Sequence, residues 1–309
     1  MATIQSSVKV KCLAEAHGAT WSVYQADCVD LASQMPDNSI DISIYSPPFA
    51  NLYIYSDSVA DMGNCQNDAE FMRQYEFLIR EKLRITRPGR VSCVHCKNLV
   101  NYAGRDGMAG LRDFRGAIIA AHVAAGWAYH SEVVIWKDPV IEMQRTKAHG
   151  LLYKQLRADS TFSRQGMPEY VVIFRKWSDS EQQDEQIAKV RHEREDFPLE
   201  QWQRWASPVW MDIRQTNVLN CRQARDGQDE KHICPLQLDV IERLLVLWSN
   251  PGDVAFSPFM GIGSEGFQAV KYKRRFVGTE LKTAYFSAAQ AYLRQAESEA
   301  ETLFDHIAS

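Results

Sequence analysis

A chain of 309 residues can bury a full core, and one large α/β domain with a smaller insert is the expected organisation. The net charge of −4 argues against a protein that coats nucleic acid non-specifically, but it is compatible with a local basic cleft. No apolar stretch is long enough to span a bilayer, and Met1-Ala2-Thr3-Ile4-Gln5 has no apolar signal region, so no membrane partner and a cytoplasmic location are expected.

Ser22 to Gln25 reads as a short strand, followed by Asp27 and a helix through Leu31. After the turn Pro36-Asp37-Asn38-Ser39, the run Ile40 to Tyr45 is short, β-branched and ends at a proline pair, which predicts a central parallel strand. Apolar residues at Phe71, Tyr75, Leu78, Ile79 and Leu83 recur at helical spacing, and Arg87-Pro88-Gly89-Arg90 is expected to end that helix. Val91 to His95 predicts a strand, Asn98 to Leu111 a long mobile loop, and Phe114 to Ala125 a helix closed by Gly126. Glu132 to Trp136 and Glu169 to Phe174 predict two more strands. Between them, Lys137 to Met167 is basic and polar and should cover the active-site side.

Ser178 to Glu200 is charged with little periodicity and reads as a linker or part of a recognition insert. Order returns with a helix from Leu238 to Trp248, a strand Val254 to Phe256, a glycine loop with a helix through Val270, a strand Arg275 to Glu280, and a helical tail Ala284 to Leu303. Alternating strands and helices predict a mostly parallel sheet. The boundaries are 20–177 for a catalytic half, 178–230 for a recognition insert or linker, and 231–309 for a cofactor-binding half with the C-terminal helix.

The seven cysteines include Cys93-Val94-His95-Cys96, which reads as the end of a buried strand rather than a metal site. No second Cys/His pair stands at zinc-ligand spacing, and no metal is expected.

Two motifs carry the chemistry. Phe256 to Ser264 contains Phe259, Gly261 and Gly263 between a strand and a helix, which gives close backbone approach and free N–H groups. Glu280 ends the next strand, where a carboxylate can accept both hydroxyls of a ribose. Nicotinamide binding is a rival reading of this pair. The second motif, Ser46-Pro47-Pro48-Phe49, fixes the backbone at a strand end through its prolines. The Ser46 hydroxyl and Pro47 carbonyl can both accept from a planar NH2 group, and Phe49 can stack on an extruded base.

These motifs resemble those of the DNA amino-methyltransferases that modify cytosine N4 or adenine N6, over most of residues 20 to 290. The Ser46 to Phe49 tetrapeptide matches the family's catalytic motif, and Phe259, Gly261, Gly263 and Glu280 match its cofactor motif and ribose acid. The resemblance implies a Rossmann-like S-adenosylmethionine-dependent methyltransferase fold. Its sheet would be mostly parallel and seven-stranded, with an antiparallel strand near the edge. The catalytic motif precedes the cofactor motif, as in the permuted β class. The resemblance further implies S-adenosyl-L-methionine as cofactor. It places Asp27 near the adenine, and His232, Pro235 and Gln237 around the methionine part, with Ser257 and Ser264 in the cofactor loop.

The expected activity is methylation of an exocyclic amine on a DNA base. Ser46, standing where adenine enzymes commonly carry Asp, favours cytosine N4 over adenine N6. RNA as substrate, a nicotinamide oxidoreductase and a non-catalytic nucleic-acid binder are the alternatives. Tyr53, Arg145, Lys147, Lys154, Arg157 and Arg164 are the expected DNA contacts. A homodimer and a separate restriction endonuclease remain open as partners. Trp202, Trp205 and Trp210 are read as packing the small domain in preference to stacking on nucleic acid.

Overall fold

The computed structural model describes residues 12–48, 62, 65, 67–146, 149–178, 189–221 and 235–308. Its strands and helices alternate over much of the chain. Ala14–His17 (β1) and Trp21–Gln25 (β2) precede Cys28–Gln34 (α1), Ile40–Tyr45 (β3), Asp68–Ile85 (α2) and Thr86–Cys96 (β4). Leu99–Asn101 (β5), Ala103–Asp106 (α3), Gly110–Arg112 (β6), Phe114–Ala124 (α4) and Ala128–Ile135 (β7) follow. Pro139–Thr146 (α5) and Tyr153–Ala158 (α6) then lead to Glu169–Arg175 (β8), Leu199–Trp205 (α7) and Val209–Trp210 (β9). Leu238–Trp248 (α8), Val254–Ser257 (β10), Ser264–Lys271 (α9), Arg275–Thr279 (β11) and Thr283–Ala308 (α10) complete the chain.

Among the described residues, one sheet of nine strands organises the molecule, in the order β1-β2-β11-β10-β3-β4-β8-β7-β9. Only β1 and β8 run against the others. Every residue of β3 is buried, as expected for a central parallel strand with both faces covered. One face packs Ile42, Ile44, Val91, Cys93 and Val171 with α8, α9 and α10. The other packs Ile40, Tyr45, Val94 and Phe174 with α1, α2 and α4.

Two expectations need correction. The sheet has nine strands rather than seven, because short edge strands are added at both ends. β1 folds back on β2 through the turn closed by Gly18 N–H donating to the Trp21 carbonyl at 2.9 Å. β9 joins β7, with Trp136 N–H donating to the Trp210 carbonyl at 3.1 Å. Strands of four and two residues are too short to show a pattern. Asn98 to Leu111 is not a structureless loop either. β5 and β6 pair antiparallel, buried Leu99 anchors them, and the connection turns at Gly107 with φ +81°. Of the glycines there, Gly107 serves a turn while Gly104 lies in α3 and Gly110 in β6, and composition alone reads all three as looseness.

Pro88 and Gly89 lie inside β4 rather than ending a helix; α2 stops at Ile85. Gly89 N–H donates to the Lys176 carbonyl at 2.9 Å, so this irregular stretch keeps its pairing. Trp205 and Trp210 are buried and Trp202 is half exposed, so packing is the role of the first two.

The amino ends of three central strands are tied by ions. Asp41 on β3 is fully buried and accepts from Arg87 Nη1 at 2.7 Å and from Val254 N–H of β10 at 2.8 Å. Arg90 on β4 lies 3.7 Å from the same carboxylate and 3.3 Å from Asp253. Asp41→Asn strips the charge from a buried network and leaves Arg90 under-compensated. It should destabilise the fold by about 3 kcal/mol in urea denaturation followed by circular dichroism.

Candidate active site

β3 and β10 are parallel neighbours, with Ile42 level with Ala255 and Ser43 with Phe256. Both loops therefore leave the same edge of the sheet, side by side, at the carboxyl ends where open α/β sheets hold ligands. The Tyr45 and Phe259 rings touch across the two motifs, with centroids 5.9 Å apart.

On the β10 side the chain passes through two glycines in the left-handed region, Gly261 at φ +53° and Gly263 at φ +90°. Gly263 is also the N-cap of α9, and a Cβ there would lie 3.0 Å from Ala289 Cβ. Glu280 follows β11 and accepts from Gly261 N–H at 3.0 Å and Lys282 N–H at 2.9 Å. Thr279 Oγ1 donates to the Pro258 carbonyl at 2.6 Å, fixing the loop to β11. Among the described residues, the buried Ser257 and Ser264 hydroxyls have no hydrogen-bond partner, and neither has Gln237 Oε1. Buried polar atoms without partners are costly, so this cradle suits a polar ligand. Asp27 caps α1, accepting from Val29 and Asp30 N–H at 2.8 and 3.0 Å. Pro235 is half-buried and Gln237 buried immediately before α8. His232 lies outside the described residues.

On the β3 side, Ser46 is half-buried and Pro47 buried. Ser46 Oγ is 2.7 Å from His95 Nδ1, and His95 Nε2 is 3.2 Å from Glu169 Oε2. Lys137 Nζ lies 2.6 Å from the same carboxylate oxygen and also donates to Gln215 Oε1. Gln237 Nε2 donates to Gln215 Oε1 at 3.3 Å, so the chain of contacts reaches the cofactor side. Burial works against ionisation of Glu169, yet His95 and Lys137 hold its carboxyl well below the usual carboxylate range. Phe49 and Tyr53 lie outside the described residues.

Beside this group opens a cleft of about 620 Å³, lined by Trp136, Lys137, Leu152, Tyr153, Leu156 and Arg164 among others. Lys154 and Arg157 are exposed on α6. Arg145 falls at the end of α5, its side chain undescribed, and Lys147 lies outside the described residues. Among the described residues no helix is long and apolar enough to cross a membrane, and no group of three or more His, Cys, Asp or Glu could hold a metal ion.

The motifs alone do not expose His95, Glu169 and Lys137 as a unit. Their only sequence signal is one of placement: His95 near the end of the strand predicted after the tetrapeptide, Glu169 at the start of another, and Lys137 just after a third.

An open, mixed sheet with helices on both faces, a glycine loop at one strand end and Ser-Pro-Pro at the next define a Rossmann-like methyltransferase fold with inserted elements. Residues 40–291 match the sequence profile of the N6/N4-type DNA methylase family, and the chain belongs to that family of DNA amino-methyltransferases. It is 22% identical to Type II methyltransferase M1.MboII of Moraxella bovis, over 89% of this chain and 97% of that protein. It is 23% identical to Type II methyltransferase M.BglII of Bacillus subtilis, over 88% and 68%. Among solved structures, TTHA0409 of Thermus thermophilus, complexed with S-adenosyl-L-methionine, superposes with a TM-score of 0.61. Its identity is 18%, covering 88% of this chain and 94% of that one. PvuII DNA methyltransferase (cytosine-N4-specific) gives a TM-score of 0.57 at 14% identity, covering 91% and 93%.

Glu265, in the first turn of α9, is buried; that burial, reinforced by the charge of Glu280, pushes its carboxyl up to about 8. The folded state thus binds a proton that the unfolded chain has lost above about 4.5. Stability should fall as pH rises from there to about 8. Thermal unfolding of the cofactor-free protein at pH 6 and pH 9 should show a smaller drop for Glu265→Gln than for wild type.

Proposed function

We propose that this chain transfers a methyl group from S-adenosyl-L-methionine to the exocyclic amine of a DNA base, with cytosine N4 preferred to adenine N6. The observation that carries this reading is the juxtaposition of Ser46-Pro47 with the Gly261–Gly263 loop at the ends of adjacent parallel strands. S-adenosylmethionine, when bound, supplies an electrophilic methyl group on a sulfonium.

The chain's own residues do the rest. Gly261 and Gly263 allow close backbone approach, and Glu280 is placed to accept from ribose hydroxyls. Ser257, Ser264 and Gln237 offer their unsatisfied buried atoms to the amino-acid part. Asp27, His232 and Pro235 complete the enclosure. Ser46 Oγ and the Pro47 carbonyl accept from the target NH2, drawing nitrogen toward tetrahedral geometry as it attacks. Phe49 stacks on the flipped base, and Tyr53 belongs to the loop that closes over it. A neutral serine acceptor, in place of a carboxylate, supports cytosine N4.

DNA enters along the cleft beside Lys137, where Lys154, Arg157 and Arg164, with Arg145 and Lys147, meet phosphates. Residues 178–230 form the recognition insert between the catalytic half, 20–177, and the cofactor half, 231–309.

Incubating mixed DNA with labelled cofactor, followed by nucleoside mass spectrometry, should yield N4-methylcytosine. N6-methyladenine would overturn the base assignment, and label confined to RNA would overturn the choice of DNA. Ser46→Ala should lower single-turnover methyl transfer by roughly 100-fold, the scale of one missing transition-state hydrogen bond. Glu280→Ala should instead weaken S-adenosylhomocysteine binding in calorimetry.

Replacing Lys154, Arg157 and Arg164 together by Ala should weaken DNA binding. The slope of log affinity against log salt should flatten by about 0.9 for each phosphate no longer neutralised. An unchanged slope in filter binding would remove these residues from the interface.

A further inference from the structure

Four side chains form a line into the candidate site, and sheet register explains why. Tyr45 pairs with Val94, so Ser46 stands level with His95. His95 pairs with Val171, and Glu169 lies two residues before it on the same face of β8. Ile135 pairs with Glu169, and Lys137 lies two residues beyond Ile135. With a side-chain period of two, these residues from four neighbouring segments share one face. His95 and Lys137 are nearly buried, at 10% and 6% side-chain exposure, and Glu169 is at 14%. A line built on central strands is rigid and shielded from bulk water.

The chemistry of each group fixes the direction of the hydrogen bonds. An ionised carboxylate can only accept, so the His95 nitrogen facing Glu169, Nε2, carries the proton. In a neutral imidazole the other nitrogen is then bare, and Nδ1 accepts the Ser46 hydroxyl proton at 2.7 Å. The Ser46 oxygen keeps its lone pairs for an incoming amine.

We propose that His95 accepts, through Ser46, the proton that the target amine sheds on methylation, with Glu169 and Lys137 orienting its ring. This rests on the methyltransferase reading above. When nitrogen bonds to the methyl carbon, the electron pair of the carbon–sulfur bond leaves on sulfur, and the nitrogen carries a positive charge. One N–H proton passes to Ser46 Oγ while the Ser46 hydroxyl proton moves to His95 Nδ1. The amine ends neutral, serine is restored, and His95 becomes an imidazolium facing the Glu169 carboxylate. That proton goes to solvent when the site opens. The ionisable groups in line with the ring are Glu169 on β8 and Lys137 after β7. Lys137 offsets part of the carboxylate charge that faces the ring. Ser46 touches the substrate and His95 receives its proton, whereas Glu169 and Lys137 are positioning residues.

His95→Asn separates proton acceptance from positioning, because an asparagine oxygen can occupy the place of Nδ1 and hold the Ser46 hydroxyl without taking its proton. The assay is single-turnover transfer at saturating cofactor, on the DNA that the wild type methylates, across a pH series. The wild-type rate should fall on the acid side with a one-proton slope. His95→Asn should be slower by about 100-fold or more and lack that limb, while binding S-adenosylhomocysteine normally. Glu169→Gln should shift the limb to lower pH, since the imidazolium loses its anionic partner.

A wild-type rate in His95→Asn, or a slow variant that keeps the acid limb, would overturn the relay while leaving the methyltransferase reading intact. Failure of the wild type to methylate any nucleic acid would overturn both. If His95→Asn does not fold, the Glu169→Gln shift decides, and an unmoved limb overturns the relay. Independently of activity, ¹⁵N ring spectra of the cofactor-free protein should show His95 neutral with its proton on Nε2. A proton on Nδ1 instead would overturn the relay.

Discussion

The parallel pairing of β3 with β10 is the constraint on which the site depends. Two loops more than 200 residues apart in the chain become neighbours because Ile42 sits beside Ala255 and Ser43 beside Phe256. A slip of one residue would turn every side chain of β3 to the other face and carry Ser46 away from His95. The register is held at the opposite end of the strands, where Asp41 accepts Val254 N–H and gathers Arg87 and Arg90. Catalytic and cofactor loops can thus exchange order along the chain without changing place in space, since position in the sheet decides where they meet.

Beneath Ser46 the support is polar, which is unusual for so deep a location. Lys82 of α2 is fully buried and donates to Tyr45 Oη and Ser92 Oγ, each at 2.6 Å, and Tyr45 Oη meets Tyr75 Oη at 2.6 Å. Burial pushes the Lys82 amine well below its ordinary value, and the surrounding hydroxyls supply its hydrogen-bond partners. The consequence is positional. Tyr45 is held by its hydroxyl on one face of the sheet, while Ser46, the next residue, points to the other. The strand end from which Ser46 and its prolines follow is thus held by side-chain hydrogen bonds at Tyr45.

What the sequence made legible follows from local physics. The central strand Ile40 to Tyr45, the helix Leu238 to Trp248 and the strand–glycine–helix at Val254 to Val270 all carry short-range patterns, and the structure has all three elements. The hairpin of β5 and β6 was hidden because glycine content does not distinguish a tight turn from a loose loop. Pro88-Gly89 marks a break in most contexts, and here it sits within β4, so the sequence shows only the strand's second half. The Ser46–His95–Glu169–Lys137 line was hidden for a deeper reason. Its members are spread over about 120 residues, and only the pairing of β3, β4, β8 and β7 relates them. Cys93-Val94-His95-Cys96 drew attention to its cysteines, yet both thiols are fully buried and the histidine alone of the three reaches the site.

Charge distribution reconciles an acidic chain with a polyanionic substrate. The net charge of −4 is an average, and association depends on the potential at the cleft rather than on the sum. On the cleft side, Lys154 and Arg157 are exposed and Arg164 lines the wall. The carboxylate in line with Ser46 and His95, Glu169, is nearly buried and already paired with Lys137. On the proposed function, an approaching phosphate meets cations at the rim, while the carboxylate next to His95 is neutralised by Lys137. Lys137 links the two regions: it borders the cleft, and it pairs with Glu169 at 2.6 Å.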